Sequence, residues 1–343
     1  MIIVMEPKST EEQIQAVVRY LETNGFRAVL NRGDIMTVIA AIGDRKLFQP
    51  QAVASYEGVR EVKLISEPYK LASREGQPED TVIEFKNGVK IGGKNRPQMM
   101  VGPCCVEKDI EGLLRVADAA KECGCNFLRG GAFKPRTSPY DFQGYEEKGL
   151  EYLKTAAERT GMLVVTEVMD TLDLPLICQY ADILQIGARN MQNFKLLKAA
   201  GMTGKPVLLK NGPAATIREF LLAAEHILCT GNPKVILCER GVKGFDSTYT
   251  RNTLDVAAIP VIKKYSHLPI IIDPSHGTGR RYLVEPLAKA GLVVGADGVM
   301  MEVHHDPDRA SSDGAQSLTI PQFKETMKRL NRLMDILQEE KVQ

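Results

Sequence analysis

The sequence predicts an α/β protein in two parts, a small βαββαβ unit followed by a closed barrel of eight parallel strands, each with a helix after it. Three observations predict it. From Met99 onward, short apolar runs alternate eight times with helical stretches over roughly 245 residues, the length such a barrel needs. Seven of the eight runs end in a residue able to bind a metal or an anion, or carry one just beyond. Converging strand ends of that kind build the active face of a parallel barrel. The first 65 residues, finally, read as two helices among four strands.

Taken in order, Ile2–Met5 is a short apolar strand, and Ser9 or Thr10 caps a helix with Glu11 and Glu12 in its first turn. Ile14, Val17, Val18 and Leu21 recur at helical spacing, and Asn24-Gly25 ends the helix. Phe26–Leu30 and Met36–Ile42 are strands around the turn Asn31-Arg32-Gly33-Asp34. A shorter helix over 49–56 and a strand Val59–Ile65 close the unit, whose order is that of a ferredoxin-like sandwich. By pattern alone it is a docking module or a ligand-sensing one. Residues 66–80 are polar, contain two prolines and read as a linker. Two short runs around Asn87-Gly88 read as a hairpin that caps the bottom of the (β/α)8 TIM barrel occupying 81–343.

The barrel strands are expected at Met99–Gly102, Asn126–Arg129, Leu163–Thr166, Ile183–Ile186, Val207–Lys210, Val235–Cys238, Ile270–Asp273 and Gly298–Glu302. Helices are expected over 109–122, 147–160, 171–180, 192–200, 216–230, 253–264, 280–290 and 321–338. An open doubly wound sheet is the competitor. It would use fewer strands and a glycine-rich dinucleotide turn, and no GxGxxG follows the first strand.

Composition narrows the function. Of 343 residues, 44% are apolar and 25% charged, and 44 basic against 43 acidic side chains leave a net charge of +1. That balance makes no electrostatic case for nucleic acid or a membrane surface. There is no charged-then-apolar leader and no apolar run near about 18 residues, so a cytoplasmic protein is expected. The seven cysteines follow no disulfide framework, and Cys123, Cys178, Cys229 and Cys238 read as small buried hydrophobes. His226 and His267 read as structural or surface residues, and His304 as able to face the same side as Glu302.

Two kinds of chemistry gather at the strand ends. Cys104, His276, Glu302 and Asp313 offer a thiolate, an imidazole and two carboxylates, a set that suits a divalent transition ion such as Zn, Mn, Fe or Co. Taken singly, each has an ordinary structural explanation; four at one barrel face are harder to dismiss. Arg129, Lys134 and Arg136 share a loop shaped by Gly130-Gly131 and Pro135, and Arg189, Lys210 and Arg240 each sit at a strand end. Arginine reads phosphate and carboxylate by paired hydrogen bonds, whereas lysine acts as a point charge.

The motifs Gly102-Pro103-Cys104, Lys134-Pro135-Arg136-Thr137-Ser138-Pro139, Ile186-Gly187-Ala188-Arg189, Cys238-Glu239-Arg240-Gly241 and Asp273-Pro274-Ser275-His276 resemble those of the 3-deoxy-D-arabino-heptulosonate 7-phosphate (DAHP) synthases, over roughly residues 80–335. The N-terminal unit resembles the regulatory domain of one branch of that family. The resemblance implies a transferase of the shikimate pathway that condenses phosphoenolpyruvate with erythrose 4-phosphate and releases phosphate. It implies Cys104, His276, Glu302 and Asp313 as metal ligands. Arg129, Lys134, Arg189, Lys210 and Arg240 match the phosphoenolpyruvate site, and Arg136 and Thr137 the aldose-phosphate site. Lys134 or a water on the ion is the expected proton donor. The branch further implies a homotetramer inhibited by an aromatic amino acid.

Charge is consistent with this set. Two substrates bring about −4 to −5, and an ion on three anionic ligands leaves about −1, which six cations bring close to neutral. Cys105 where serine is common, Asn211-Gly212-Pro213 after Lys210, and His305 where proline is common depart from the pattern without removing a ligand. Two rivals stand beside this reading. One is the sister synthase that uses arabinose 5-phosphate, whose sugar loop resembles Ala-Asn-Lys-Ser-Ser. The other is a non-catalytic amino-acid sensor with the barrel as scaffold.

Overall fold

The computed structural model describes residues 1–32, 36–44, 47–64, 67–134, 140 and 142–342, with side chains through 339. Strand β1 (Ile2–Met5), helix α1 (Glu11–Thr23), β2 (Arg27–Arg32), β3 (Thr37–Ile42), α2 (Pro50–Ala54) and β4 (Val59–Lys63) form the N-terminal unit. Its sheet runs β2-β3-β1-β4, antiparallel throughout. Thr10 caps α1 in a reciprocal pair with Gln13, and Ile14, Val17, Val18 and Leu21 are its buried stripe. Period-two alternation splits β1 between two cores. Ile3 and Met5 pack with α1 and α2, while Ile2 and Val4 join an apolar cluster that continues through Tyr69, Leu71 and Ala72 into the barrel helices.

The expected turn at Asn31-Arg32 starts later. Both residues belong to β2, opposite Val38 and Thr37, and Gly33 and Asp34 lie outside the described residues. Helix α2 is shorter than expected, because Pro50 fixes its start and Ser55 already ends it.

The segment after β4 is bound tightly despite its polar composition. The Glu225 carboxylate accepts from the backbone N–H of Lys70, Leu71 and Ala72 at 2.8–2.9 Å. His267 Nε2 donates to Leu71 O at 2.6 Å, and its Nδ1 accepts from the Thr81 hydroxyl at 2.7 Å. Arg74 donates to Lys263 O at 2.9 Å. Buried backbone donors need partners, and here the barrel supplies them.

Next comes the hairpin β5 (Ile83–Glu84) and β6 (Lys90–Ile91), turning at Gly88 with φ 78°. Ile83, Phe85 and Ile91 pack into the interior against Phe127, Leu163, Ile183 and other residues near the strand starts. Phe85 meets Phe127 edge-on, with centroids 5.0 Å apart. The bottom of the barrel is therefore plugged and the chemistry is left to the other end.

The barrel strands are β7 (Gln98–Gly102), β8 (Phe127–Arg129), β9 (Leu163–Val168), β10 (Ile183–Ile186), β11 (Val207–Lys210), β12 (Val235–Glu239), β13 (Ile270–Ile272) and β14 (Gly298–Glu302). All pair in parallel, in sequence order, and the ring closes where Met300 and Glu302 face Met100 and Gly102. Around it lie α3 (Ile110–Glu122), α4 (Glu146–Thr160), α5 (Leu174–Tyr180), α6 (Phe194–Met202), α7 (Ile217–Leu228), α8 (Ala258–Tyr265), α9 (Pro274–Thr278), α10 (Val284–Val293) and α11 (Ile320–Val342). No helix among the described residues is long and apolar enough to cross a membrane.

Several expected boundaries move for local reasons. Helix α8 begins at Ala258, because Thr253 is still extended and bridged to Val242. Helix α5 waits for Pro175 at its first turn, and α10 follows a 3-10 turn over Arg281–Leu283. The third barrel strand continues to Val168. The seventh stops at Ile272, because Asp273 leaves it to cap α9, a short helix the sequence reading lacked.

His267 links this architecture to pH. Burial lowers its pKa to about 4 from 6.5, so the folded protein holds it neutral. A lowered folded pKa leaves the stabilisation complete above pH 6.5 and removes it as pH falls toward 4, on the order of 3 kcal/mol in all. Thermal melts at pH 7.5 and 4.5 should therefore show a smaller acid-induced drop in Tm for His267→Gln than for the wild type. Equal drops would assign the acid sensitivity to other groups.

Candidate active site

The mouth of the barrel opens into a cavity of about 560 Å3, lined by Arg129, Lys134, Glu167, Gln185, Arg189, Lys210, Arg240, Lys243, Arg251, Asn252, His276 and Asp313, among others. Backbone shape places the first of its groups. Gly102 ends β7 so close to β8 that a Cβ there would lie 1.9 Å from Arg129 O, and only glycine allows that approach. Pro103 and Cys104 then turn inward over Arg129.

One chain of contacts runs through the floor. Lys210 Nζ, at the end of β11, lies 2.7 Å from Asp273 Oδ2, which also meets His276 Nδ1 at 2.7 Å. Asp273 Oδ1 accepts from His276 N at 3.0 Å and so fixes α9 as well as the ring. His276 Nε2 lies 3.0 Å from Glu302 Oε1, and Arg129 Nη1 reaches the same oxygen at 2.8 Å. Gln316 Nε2 donates to Glu302 Oε2 at 2.5 Å. Both Arg129 and Glu302 are essentially sealed from solvent.

Beside this chain lie the other two donors. Lys134 Nζ is 3.0 Å from Cys104 Sγ and 2.9 Å from Cys104 O, and the Cys104 thiol donates to Asp313 Oδ2 at 3.0 Å. The ligand atoms of Cys104, His276, Glu302 and Asp313 all lie within 4.8 Å of one another.

Electrostatics follow from burial and pairing. Burial, helped by the Glu302 charge, pushes the Cys104 thiol up to about 12. Burial also opposes charge on Glu302, but His276, Arg129 and Lys134 outweigh it and hold the carboxyl well below the usual range. Asp273 is held down in the same way by His276 and Lys210. Lys134 loses charge stability to burial and regains more from Cys104, so its pKa is raised.

The donor set fits a metal ion. In its neutral form, with Nδ1–H donated to Asp273, His276 would turn the lone pair of Nε2 toward a carboxylate oxygen. Those two groups repel at 3.0 Å unless a proton or a cation lies between them. A second carboxylate and a thiol complete a set with the softness of a transition-ion site. Asp273 supplies the carboxylate–histidine pairing that orients a ligating imidazole.

Of the sequence-selected anion binders, Arg129, Lys134, Arg189, Lys210 and Arg240 all reach this one cavity. Arg189 does so from a 3-10 turn over Ala188–Asn190, and Arg240 from just beyond β12. Arg136 and Thr137 lie outside the described residues. Cys105 turns aside, its Sγ accepting from Ser312 Oγ at 3.0 Å. His304 also lies apart from the four donors, stacked on His305 and 3.4 Å from Glu107 Oε2.

Six groups escaped the sequence reading. Glu167 sits one residue before the end of β9 and, through Gln185 Nε2 at 2.9 Å, backs the Arg129 side chain. Extending the alternation of Val165 and Thr166 by one residue was the available signal. Asp273 was taken as strand. The pattern Asp-Pro before a histidine marks a helix cap instead. Lys243, Arg251 and Asn252 come from a loop with no periodicity to flag them. The buried Glu239, pushed up to about 7 by burial, accepts from Gly241 N and Asn211 Nδ2, and Asn211 Oδ1 accepts from Arg240 N at 2.8 Å.

Residues 80–339 match the model of the DAHP synthetase I family, and residues 1–67 match that of the DAHP synthase ferredoxin-like domain. The chain belongs to the DAHP synthetase I family. It is 51% identical to a phospho-2-dehydro-3-deoxyheptonate aldolase of Thermotoga maritima over 98% of each chain. A solved structure of that aldolase superposes with a TM-score of 0.78 over 98% of both chains, at 51% identity. A 2-dehydro-3-deoxyphosphooctonate aldolase of Syntrophotalea carbinolica is 31% identical over 71% of this chain and 92% of its own. This DAHP synthetase I family member is thus an enzyme with an eight-stranded barrel and a ferredoxin-like N-terminal sheet.

The buried pair gives a stability test. Arg129→Met leaves the Glu302 carboxylate sealed beside one fewer cation and should cost about 3–5 kcal/mol in urea unfolding. Adding Glu302→Gln should recover a substantial part of the loss. Additive losses in the double variant would show that the pair is not coupled.

Proposed function

We propose that this enzyme joins phosphoenolpyruvate to erythrose 4-phosphate, releases phosphate, and does so with a divalent transition ion held by Cys104, His276, Glu302 and Asp313. The observation that carries the reading is that His276 and Asp313 line one cavity with a ring of arginines and lysines, and the ligand atoms of Cys104 and Glu302 lie within 4.8 Å of theirs. When bound, such an ion supplies Lewis acidity to an aldehyde oxygen.

The chain's own residues supply the rest. Arg189, Arg240 and Lys210 surround a space suited to a phosphate and a carboxylate, with Arg forks for direction and Lys for charge. Arg129, held by Glu302 and Gln185, presents a fixed cation below them. Lys134 Nζ stands at the donor cluster and is placed to give a proton to the oxygen of a new hydroxyl. Buried cations aimed at one cavity stabilise developing charge without reorganising.

Charge in the cavity supports two phosphorylated substrates. Glu167 and Asp273 add two negatives that the sequence tally lacked, while Lys243 and Arg251 add two positives. The balance near neutrality is preserved.

The identity to a heptonate aldolase supports the four-carbon aldose over arabinose 5-phosphate. The match over 1–67 supports a regulatory role for the N-terminal unit, and we extend the proposal to inhibition by an aromatic amino acid and a tetrameric assembly. In this division 1–65 regulates, 66–80 connects and 81–343 catalyses.

Phosphate release from phosphoenolpyruvate should require erythrose 4-phosphate and stop on chelation, with at least about 10-fold less turnover when arabinose 5-phosphate replaces it. Chelator-resistant turnover would remove the metal from the reading, and a preference for the five-carbon sugar would reassign the substrate. Separately, millimolar tyrosine or phenylalanine should lower the rate in the full chain. Unchanged rates with both would leave the N-terminal unit as a docking module.

A further inference from the structure

Asp313 is held differently from the other three donors. Cys104, His276 and Glu302 lie on or beside barrel strands and are buried. Asp313 lies in the loop between β14 and α11, is only partly buried, and takes a left-handed backbone with φ 51°. Aspartate tolerates that conformation at some cost. No barrel strand sets the direction of its carboxylate. Side chains do, with the Cys104 thiol on Oδ2 at 3.0 Å and Arg251 Nη2 on Oδ1 at 2.7 Å.

Arg251 is itself anchored to the histidine loop. Its backbone N–H donates to Thr278 O at 2.8 Å, and Asn252 N donates to Gly277 O at 3.0 Å. Asn252 Nδ2 lies 3.4 Å from His276 O. Gly279 leaves room for the guanidinium stem, since a Cβ there would come within 3.2 Å of Arg251 Cβ. The arginine therefore bridges the loop that carries His276 and the loop that carries Asp313.

We infer that Arg251 is a positioning residue for a bound divalent cation, acting by fixing the Asp313 carboxylate so that Oδ2 faces the other three donors. The inference rests on reading the four-donor cluster as a metal site. A carboxylate pinned at one oxygen loses its rotational freedom before the ion arrives, and that saving appears as affinity. Without Arg251, Asp313 still carries its charge but must be ordered by the ion itself.

The test is Co2+ affinity of the metal-stripped full chain, by competition with a chromophoric chelator, with thiolate-to-cobalt absorption as a second readout. Arg251→Gln should weaken Co2+ binding about 10- to 100-fold, and Arg251→Lys by less. Arg280→Gln is the control. Arg280 donates to Tyr249 O at 2.9 Å and Thr248 O at 3.3 Å, so its loss loosens the same loop without touching Asp313. Its affinity should stay near that of the wild type. Undiminished affinity in Arg251→Gln, or equal losses in both glutamine variants, overturns the inference while leaving the metal site standing. A wild-type chain that fails to take up one Co2+ with thiolate absorption overturns the metal reading itself.

Discussion

The constraint on which the site depends is the cost of burying charge. Lys210, Asp273, His276, Glu302 and Arg129 form an unbroken chain across the barrel floor, and each neighbouring pair lies within 3.0 Å. An isolated ion there would lose several kcal/mol of hydration, so no member can be charged without its neighbours. This explains why the residues come as a set from the ends of four different strands. A hydrophobic floor would cost less to fold. A charged one persists because it keeps lone pairs and cations aimed at one point before any substrate arrives.

Barrel geometry makes the set possible. Parallel strands in sequence order bring their C-terminal ends to one rim, so residues far apart in the chain become neighbours there. The inserted hairpin fills the opposite end with Ile83, Phe85 and Ile91. Close approach at Gly102 seats the first loop directly on Arg129, with Cys104 O accepting from Lys134 and Gly131 N. The thiol is thereby set by backbone as much as by its own rotamer.

Most of this was legible in the sequence because barrel strands are buried on both faces and read as short apolar blocks between polar ones. Their terminal residues then identify the rim without any structure. Legibility fails where a residue's role depends on geometry at right angles to the chain. Glu167 lies one residue past the point where Val164–Val165 ceased to look apolar, and only its pairing with Gln185 on the next strand reveals it. Asp273 looked like the end of a strand, but its carboxylate bonds the backbone of the residue three ahead, which nucleates a helix too short to show any periodicity. Arg251 and Lys243 sit in a polar loop whose composition matches any solvated connection. What distinguishes Arg251 is a carboxylate more than sixty residues away in sequence.

The junction between the two units shows the same principle in a different place. A segment without regular structure carries unsatisfied N–H groups wherever it is packed, and the polar composition of residues 67–80 suggests a tether in water. Instead, Glu225 spends its whole carboxylate on three consecutive backbone donors, against a burial penalty that raises its pKa. His267 and Arg74 close the next contacts. Displacing this strap would break charge-assisted bonds in a partly buried place. The apolar cluster that joins Ile2 and Val4 to the barrel helices adds a second rigid path. The N-terminal sheet and the barrel are therefore joined by packed, hydrogen-bonded contacts rather than by a free tether.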